Sequence, residues 1–105
     1  MKNIYVDIDN TICQTSGLGY ENSTPYPDKI AFINKLFDQG HNITYWTARG
    51  TVTGIDHYEL TKNQLEKWGV KYHKLILGKP AYDILIDDKA INNIETATLL
   101  YDIYH

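Results

Sequence analysis

Apolar positions alternate along the chain between short β-branched runs and stretches of helical period. Ile4-Tyr5-Val6-Asp7-Ile8 is short, apolar and β-branched and predicts a buried strand. The segment 10–27 is rich in Gly, Ser, Thr, Asn and Pro and predicts a long loop of functional or mobile character. From Asp28 to Gln39 the period is helical, with Ile30, Ile33, Leu36 and Phe37 on one face and Gly40 at the stop. Asn42 to Trp46 predicts a second strand, and 48–55 a polar loop. Asp56 can cap a helix to Trp68 that shows Tyr58, Thr61, Leu65 and Trp68 on one side before Gly69 ends it. Leu75-Ile76-Leu77 and Ile84-Leu85-Ile86 predict a third and a fourth strand. Asn92 to Leu100 predicts a short helix, and Leu99 to Tyr104 an edge strand.

Strands alternating with helices of this length require crossover connections and parallel pairing. The expected fold is α/β: a single three-layer, Rossmann-like domain over 1–105 with a parallel sheet. In such sheets ligands bind beyond the carboxyl ends of the strands, so the residues just after each strand are the place to look for chemistry.

Those residues are polar in every case. The first strand runs into Asp7-Ile8-Asp9-Asn10-Thr11, the second into Thr47-Ala48-Arg49-Gly50, the third into Gly78-Lys79-Pro80 and the fourth into Asp87-Asp88. Side chains two apart on a strand point the same way, so Asp7 and Asp9 are expected to project together if the strand persists. Like carboxylates repel unless a cation sits among them. Mg²⁺ suits Asp7, Asp9 and Asp87, because it takes oxygen ligands and keeps waters and a substrate phosphate. Lys79 and Thr47 would hold phosphate oxygens, one carboxylate could attack phosphorus, and another could carry protons. Taken singly, each of these residues is as easily a loop, cap or surface residue; the joint pattern carries the argument.

Asp7, Asp9 and Thr11, then Thr47, then Lys79-Pro80, then Asp87-Asp88 resemble, in order, the four motifs of the haloacid dehalogenase superfamily of phosphohydrolases. The resemblance implies that Asp7 attacks phosphorus to give an aspartyl-phosphate, and that Asp9 protonates the leaving alcohol and then activates water. It implies that Asp7 and Asp87 bind Mg²⁺ through side chains and Asp9 through its carbonyl, with Asp88 a ligand or the neighbour of one. Thr47 and Lys79 hold the phosphoryl group. Asn10 stands where Gly is commonest, and Asn tolerates left-handed backbone. The gaps 12–27 and 48–55 are too short for a cap domain, so the chain resembles a capless member. Around Tyr20-Glu21-Asn22 and Thr47-Ala48-Arg49-Gly50 it is similar to small phosphatases of capsule and surface-polysaccharide synthesis. The implied substrate is a small phosphorylated metabolite related to a sugar or polyol. Without a cap, leaving-group recognition falls to the 13–25 loop, the 49–55 loop or a neighbouring subunit. Tyr20 and Glu21 are expected to stack on and hydrogen-bond a polyol, with Gly17 and Gly19 letting the loop move. Arg49 is expected either to read an anionic group of the substrate or to form a surface ion pair.

Composition narrows the alternatives. The net charge of −3 and the scattered Lys and Arg speak against a nucleic-acid end phosphatase or an anionic membrane as target. A nucleotide monophosphatase stays open. A receiver-type signalling module would need its acceptor Asp on a middle strand before the Thr, and no Asp precedes Thr47 there. His41, His57, His73 and His105 form no ligand spacing with the single Cys13, so no zinc-type site is expected and no internal disulfide can form. No apolar segment has the length of a signal peptide or membrane span, which gives a cytoplasmic location as the expectation. Oligomeric state is left open, a homo-oligomer included.

Overall fold

A computed structural model describes residues 1–92 together with Ile94 and Thr96. Its first strand, β1 (Asn3–Val6), leads into a hairpin-like excursion of β2 (Cys13–Gln14), one 3₁₀ turn (Tyr20–Asn22) and β3 (Thr24–Pro25). Helix α1 (Pro27–Asp38), strand β4 (Asn42–Thr47), helix α2 (Tyr58–Lys67) and strand β5 (Lys74–Leu77) follow. β1, β4 and β5 form a parallel sheet in that order, with Val6 opposite Tyr45 and Tyr45 opposite Leu75. This is the α/β, Rossmann-like arrangement expected from the alternation of strand and helix.

One face of the sheet carries Ile4, Val6, Ile43, Tyr45 and Leu75, and α1 and α2 cover it with Ile30, Ile33, Leu36 and Leu65 in one core cluster. Both helices stop in the same way. His41 N–H bonds back to the Leu36 carbonyl and Gly40 N–H to Phe37, as Val70 does to Leu65 and Gly69 to Glu66. Gly40 and Gly69 both have positive φ at these turns, so a residue with a Cβ would be strained there. Pro27 opens α1, where its missing N–H costs nothing.

Three expectations are corrected. The fourth strand at Ile84–Ile86 is irregular chain, with Ile84 79 % and Ile86 94 % exposed, so its apolar run reflects no burial. The 13–25 loop is not open: β2 and β3 pair antiparallel, and Tyr26 N–H bonds to the Ile12 carbonyl. β1 ends at Val6 rather than Ile8, because the Ile8 carbonyl is taken by the N–H groups of Thr11 and Ile12, which turn the chain. The helix expected over 92–100 and the edge strand over 99–104 lie, apart from Asn92, Ile94 and Thr96, outside the described residues. Ile94 is buried in the core cluster.

Candidate active site

The parallel register brings the ends of β1, β4 and β5 to one rim. Asp7 follows Val6, whose neighbour on β4 is Tyr45, so Asp7 stands beside Trp46. Lys79 follows β5, and its N–H donates to the Thr47 carbonyl at 3.0 Å, which fixes the Gly78-Lys79 turn against β4. The Lys79 ammonium then reaches over the sheet end to Asp7, with Nζ 3.7 Å from Oδ1. It lies between two aromatic rings, 5.6 Å from the Trp46 centroid and 5.3 Å from Tyr82. A cation over ring faces gains from their quadrupoles, and this steers the flexible lysine toward one position.

Asp7 is half-buried. Burial pushes its carboxyl up from the ordinary value, and the nearby Asp9 charge adds to this; Lys79 and the backbone N–H of Ile8 oppose it. Asp7, Thr11, Lys79 and Asp87 line a cavity of about 1160 Å³, with Trp46 and Tyr82 in its wall. It runs along the edge of β1 that pairs with no strand among the described residues.

Asp9 is held in an ion pair: its carboxylate is paired with Arg49 yet keeps 21 % of its side-chain surface, and its charge is felt at Asp7. Arg49 Nη2 donates to Asp9 Oδ1 at 2.8 Å and Nε to Oδ2 at 3.0 Å. Thr15 Oγ1 donates to Oδ1 at 2.6 Å.

Arg49 is only 2 % exposed, so the expected reader of substrate anions, and equally the surface ion pair, gives way to a buried one. Its remaining donors go to Thr61 and Gln64 of α2. Tyr20 is corrected with it: the ring is buried, with the guanidinium 4.9 Å from its centroid and His57 edge-on at 5.0 Å. A ring so occupied offers no face to a polyol. Glu21 is exposed next to it. Thr47 is buried, and its hydroxyl oxygen accepts the Arg49 N–H at 3.2 Å while its own proton is left to donate. Asn10 takes φ 60°, the left-handed backbone that Asn was expected to supply in place of Gly.

The four-carboxylate metal set is not assembled. Among the described residues no three His, Cys, Asp or Glu side chains come together as a metal cluster. The Asp9 side chain is paired with Arg49, which leaves the expected role of its backbone carbonyl untouched, and Asp88 is exposed outside the cavity wall. Asp87 is fully exposed, and the Lys89 N–H that donates to it at 2.9 Å holds its carboxyl below the usual range, helped by Asp88. Asp7 and Asp87 remain on one cavity. Two carboxylates completed by waters and a substrate phosphate are a donor set that Mg²⁺ accepts, so the residues fit an open site rather than a protein cage.

Sequence reasoning did not find Thr15, Ser23, Thr61 or Gln64, the polar partners of the Asp9–Arg49 pair. Thr61 was visible on the buried face of its helix, but as a packing residue. Gln64, one turn on, is buried as well.

No family model matches the chain, and no curated protein matches it. Among solved structures, a structural-genomics target from Vibrio cholerae is similar at 29 % identity and a TM-score of 0.86, covering 99 % of this chain and 94 % of that one. A chain of the Pnkp1/Rnl/Hen1 complex is similar at 16 % identity and a TM-score of 0.62 over 96 % of this chain and 34 % of that one. The same holds for the Pnkp1/Rnl/Hen1 RNA repair complex, at 16 % and 0.60, covering 31 % of that chain. The likenesses at 16 % concern the fold, which is the parallel α/β arrangement described above. Among the described residues no helix is long and apolar enough to cross a membrane.

Proposed function

We propose that the protein is a phosphomonoester hydrolase with Asp7 as its nucleophile. The observation that carries this reading is the half-buried Asp7 carboxylate held against the Lys79 ammonium at 3.7 Å, at the carboxyl ends of neighbouring parallel strands and open to a cavity. Burial makes the Asp7 oxygens poorly hydrated and therefore ready to attack. An Asp7 oxygen bonds to phosphorus as the bond to the leaving oxygen breaks, and the leaving oxygen takes a proton from Asp9. Water then attacks the aspartyl-phosphate, gives its proton to Asp9 and releases phosphate. Lys79 neutralises the phosphoryl oxygens, and Thr47 has a hydroxyl proton for the same purpose. Positioning and charge neutralisation supply most of the acceleration in such transfers. Asp7 and Asp87 would hold Mg²⁺, whose chemistry is further neutralisation of the phosphate.

The substrate we favour is a small phosphorylated metabolite of the sugar or polyol type made for surface polysaccharides. Support comes from Trp46 and Tyr82, whose rings line the cavity, flank Lys79 and suit the C–H faces of a sugar. The buried Tyr20 ring has no part in it. A phosphate-release screen over sugar, polyol and amino-alcohol phosphates, nucleotides and phosphorylated oligonucleotides tests both levels. Oligonucleotides belong in it because a chain of an RNA repair complex shares the fold. Turnover of a sugar or polyol phosphate above the others is expected. Preference for nucleotides would end the substrate assignment, and no release from any ester would end the phosphatase reading.

A further inference from the structure

A guanidinium at the bottom of a domain is expensive to desolvate, and a buried ion pair is weak evidence for stability, since apolar residues of the same volume often do better. Arg49 has no exposed side-chain surface at all, yet Asp9 keeps 21 % of its own. The pair is therefore closed on the arginine side and open on the carboxylate side. The two oxygens of Asp9 are also treated differently. Oδ1 accepts from Arg49 Nη2 at 2.8 Å and Thr15 Oγ1 at 2.6 Å, with Arg49 Nε at 3.3 Å and the Cys13 thiol at 3.8 Å. Among the described residues Oδ2 accepts from Arg49 Nε alone, at 3.0 Å. Thr15 has one proton and gives it to Asp9, so the 2.6 Å contact between Thr15 and Ser23 must be a donation from Ser23. Ser23 to Thr15 to Asp9 is thus a directed chain of donors ending on Oδ1.

We propose that Arg49, with Thr15, is the positioning device for Asp9. The fork and the hydroxyl saturate Oδ1 and fix the plane of the carboxyl, leaving Oδ2 as the oxygen that exchanges a proton with the leaving group and the incoming water. Arg49 itself touches neither substrate nor phosphate. It is in turn held by Thr61 and Gln64 of α2 and by the Tyr20 ring, so the hairpin and α2 set the angle at which Asp9 is presented. This rests on the phosphatase reading above. A purely structural Arg49, tying the same segments together, would lower activity toward all substrates alike.

The two roles separate by leaving group. p-Nitrophenol leaves without a proton, whereas the alcohol of an alkyl phosphate needs one. Arg49→Lys keeps the charge and loses the fork. In single-turnover transfer to Asp7 it should slow the best alkyl phosphate of the screen by about 10²-fold and p-nitrophenyl phosphate by less than about threefold, with KM for both nearly unchanged. In an Asp9→Asn background the same change should cost nothing further, because a residue that acts only through another couples fully to it. Equal losses on the two esters, or losses that multiply in the double variant, would overturn the proposal. If Arg49→Lys does not give a cooperative thermal melt, Thr15→Val replaces it, with the same ester selectivity expected at about tenfold and uniform loss again overturning the idea. Wild-type protein that releases phosphate from neither ester removes the phosphatase reading, and this inference with it. Wild-type turnover with the wrong variant pattern removes the inference alone.

Discussion

Asp7 and Asp9, two residues apart, live in opposite surroundings. Asp9 is compensated by a fork of charged donors, whereas Asp7 is desolvated more than its one lysine at 3.7 Å can offset. For Asp7 the folded carboxyl therefore sits above the unfolded value of 3.8. The native state then holds the proton more tightly than the unfolded state. Its contribution to stability is fully present below the unfolded value and is lost as pH rises through the raised folded one. Asp7→Asn removes this titration. The melting temperature of the variant minus that of wild type should rise with pH across the acid range and level off near neutrality, while turnover falls to background. Asp9→Asn tests the ion pair instead. It strips a buried guanidinium of its counter-charge and should cost about 3–5 kcal/mol, read as a lower urea midpoint. A flat pH difference for Asp7→Asn, or an Asp9→Asn as stable as wild type, would contradict the surroundings assigned to the two.

At the scale of elements, the turn after β4 follows directly on Arg49 and is tightly closed. Gly50 has φ 81°, and a Cβ there would stand 2.1 Å from the Ile55 carbonyl oxygen. The Gly54 N–H closes the loop back onto the Gly50 carbonyl at 2.8 Å. The chain folds back on itself at this point. Gly54 also has positive φ, at 76°, but a Cβ there would meet nothing within 4 Å. Gly54→Ala should thus pay only the backbone term of about 1 kcal/mol, whereas Gly50→Ala pays that and the collision, for a total above about 2 kcal/mol. Paired thermal melts check this, and equal losses would mean the loop opens freely.

For the whole molecule, the cavity joins elements far apart in sequence: Asp7 and Thr11 from the start of the chain, Lys79 and Asp87 from near its end. The irregular chain at 84–86 exposes its isoleucines, so nothing in the apolar pattern fixes where Asp87 lies relative to Asp7. A divalent ion shared by the two carboxylates would. Mg²⁺ should raise the melting temperature of wild type, and Asp87→Asn should lose most of that rise, as ligands that bind only the folded state stabilise it by mass action. Chelation without added metal should abolish phosphate release. An equal rise in both proteins would exclude Asp87 as a ligand, and full activity after chelation would exclude the metal.

The order of strands and helices, the parallel pairing and the places of Asp7, Thr47 and Lys79 at strand ends were legible in the sequence. They rest on local signals: β-branched runs, a helical period, Gly at helix stops and Pro at a helix start. Asn10 in left-handed backbone was legible for the same reason. The pairing of Arg49 with Asp9 and Tyr20 was not. β1 stops at Val6 because the Ile8 carbonyl takes two N–H groups of the following turn, and no periodicity records that competition. Arg49 looks like a surface charge until Thr61 and Gln64 of α2, Ser23 and Asp9 are brought around it from three separate segments. The run Ile84-Leu85-Ile86 shows the converse: an apolar, β-branched sequence makes no strand until a neighbour offers its hydrogen bonds, and such partners exist only in the folded chain. Sequence determined the elements and the chemical groups they carry. Tertiary structure alone decided which of those groups face the cavity and which are spent on one another, because burial and pairing depend on atoms distant along the chain.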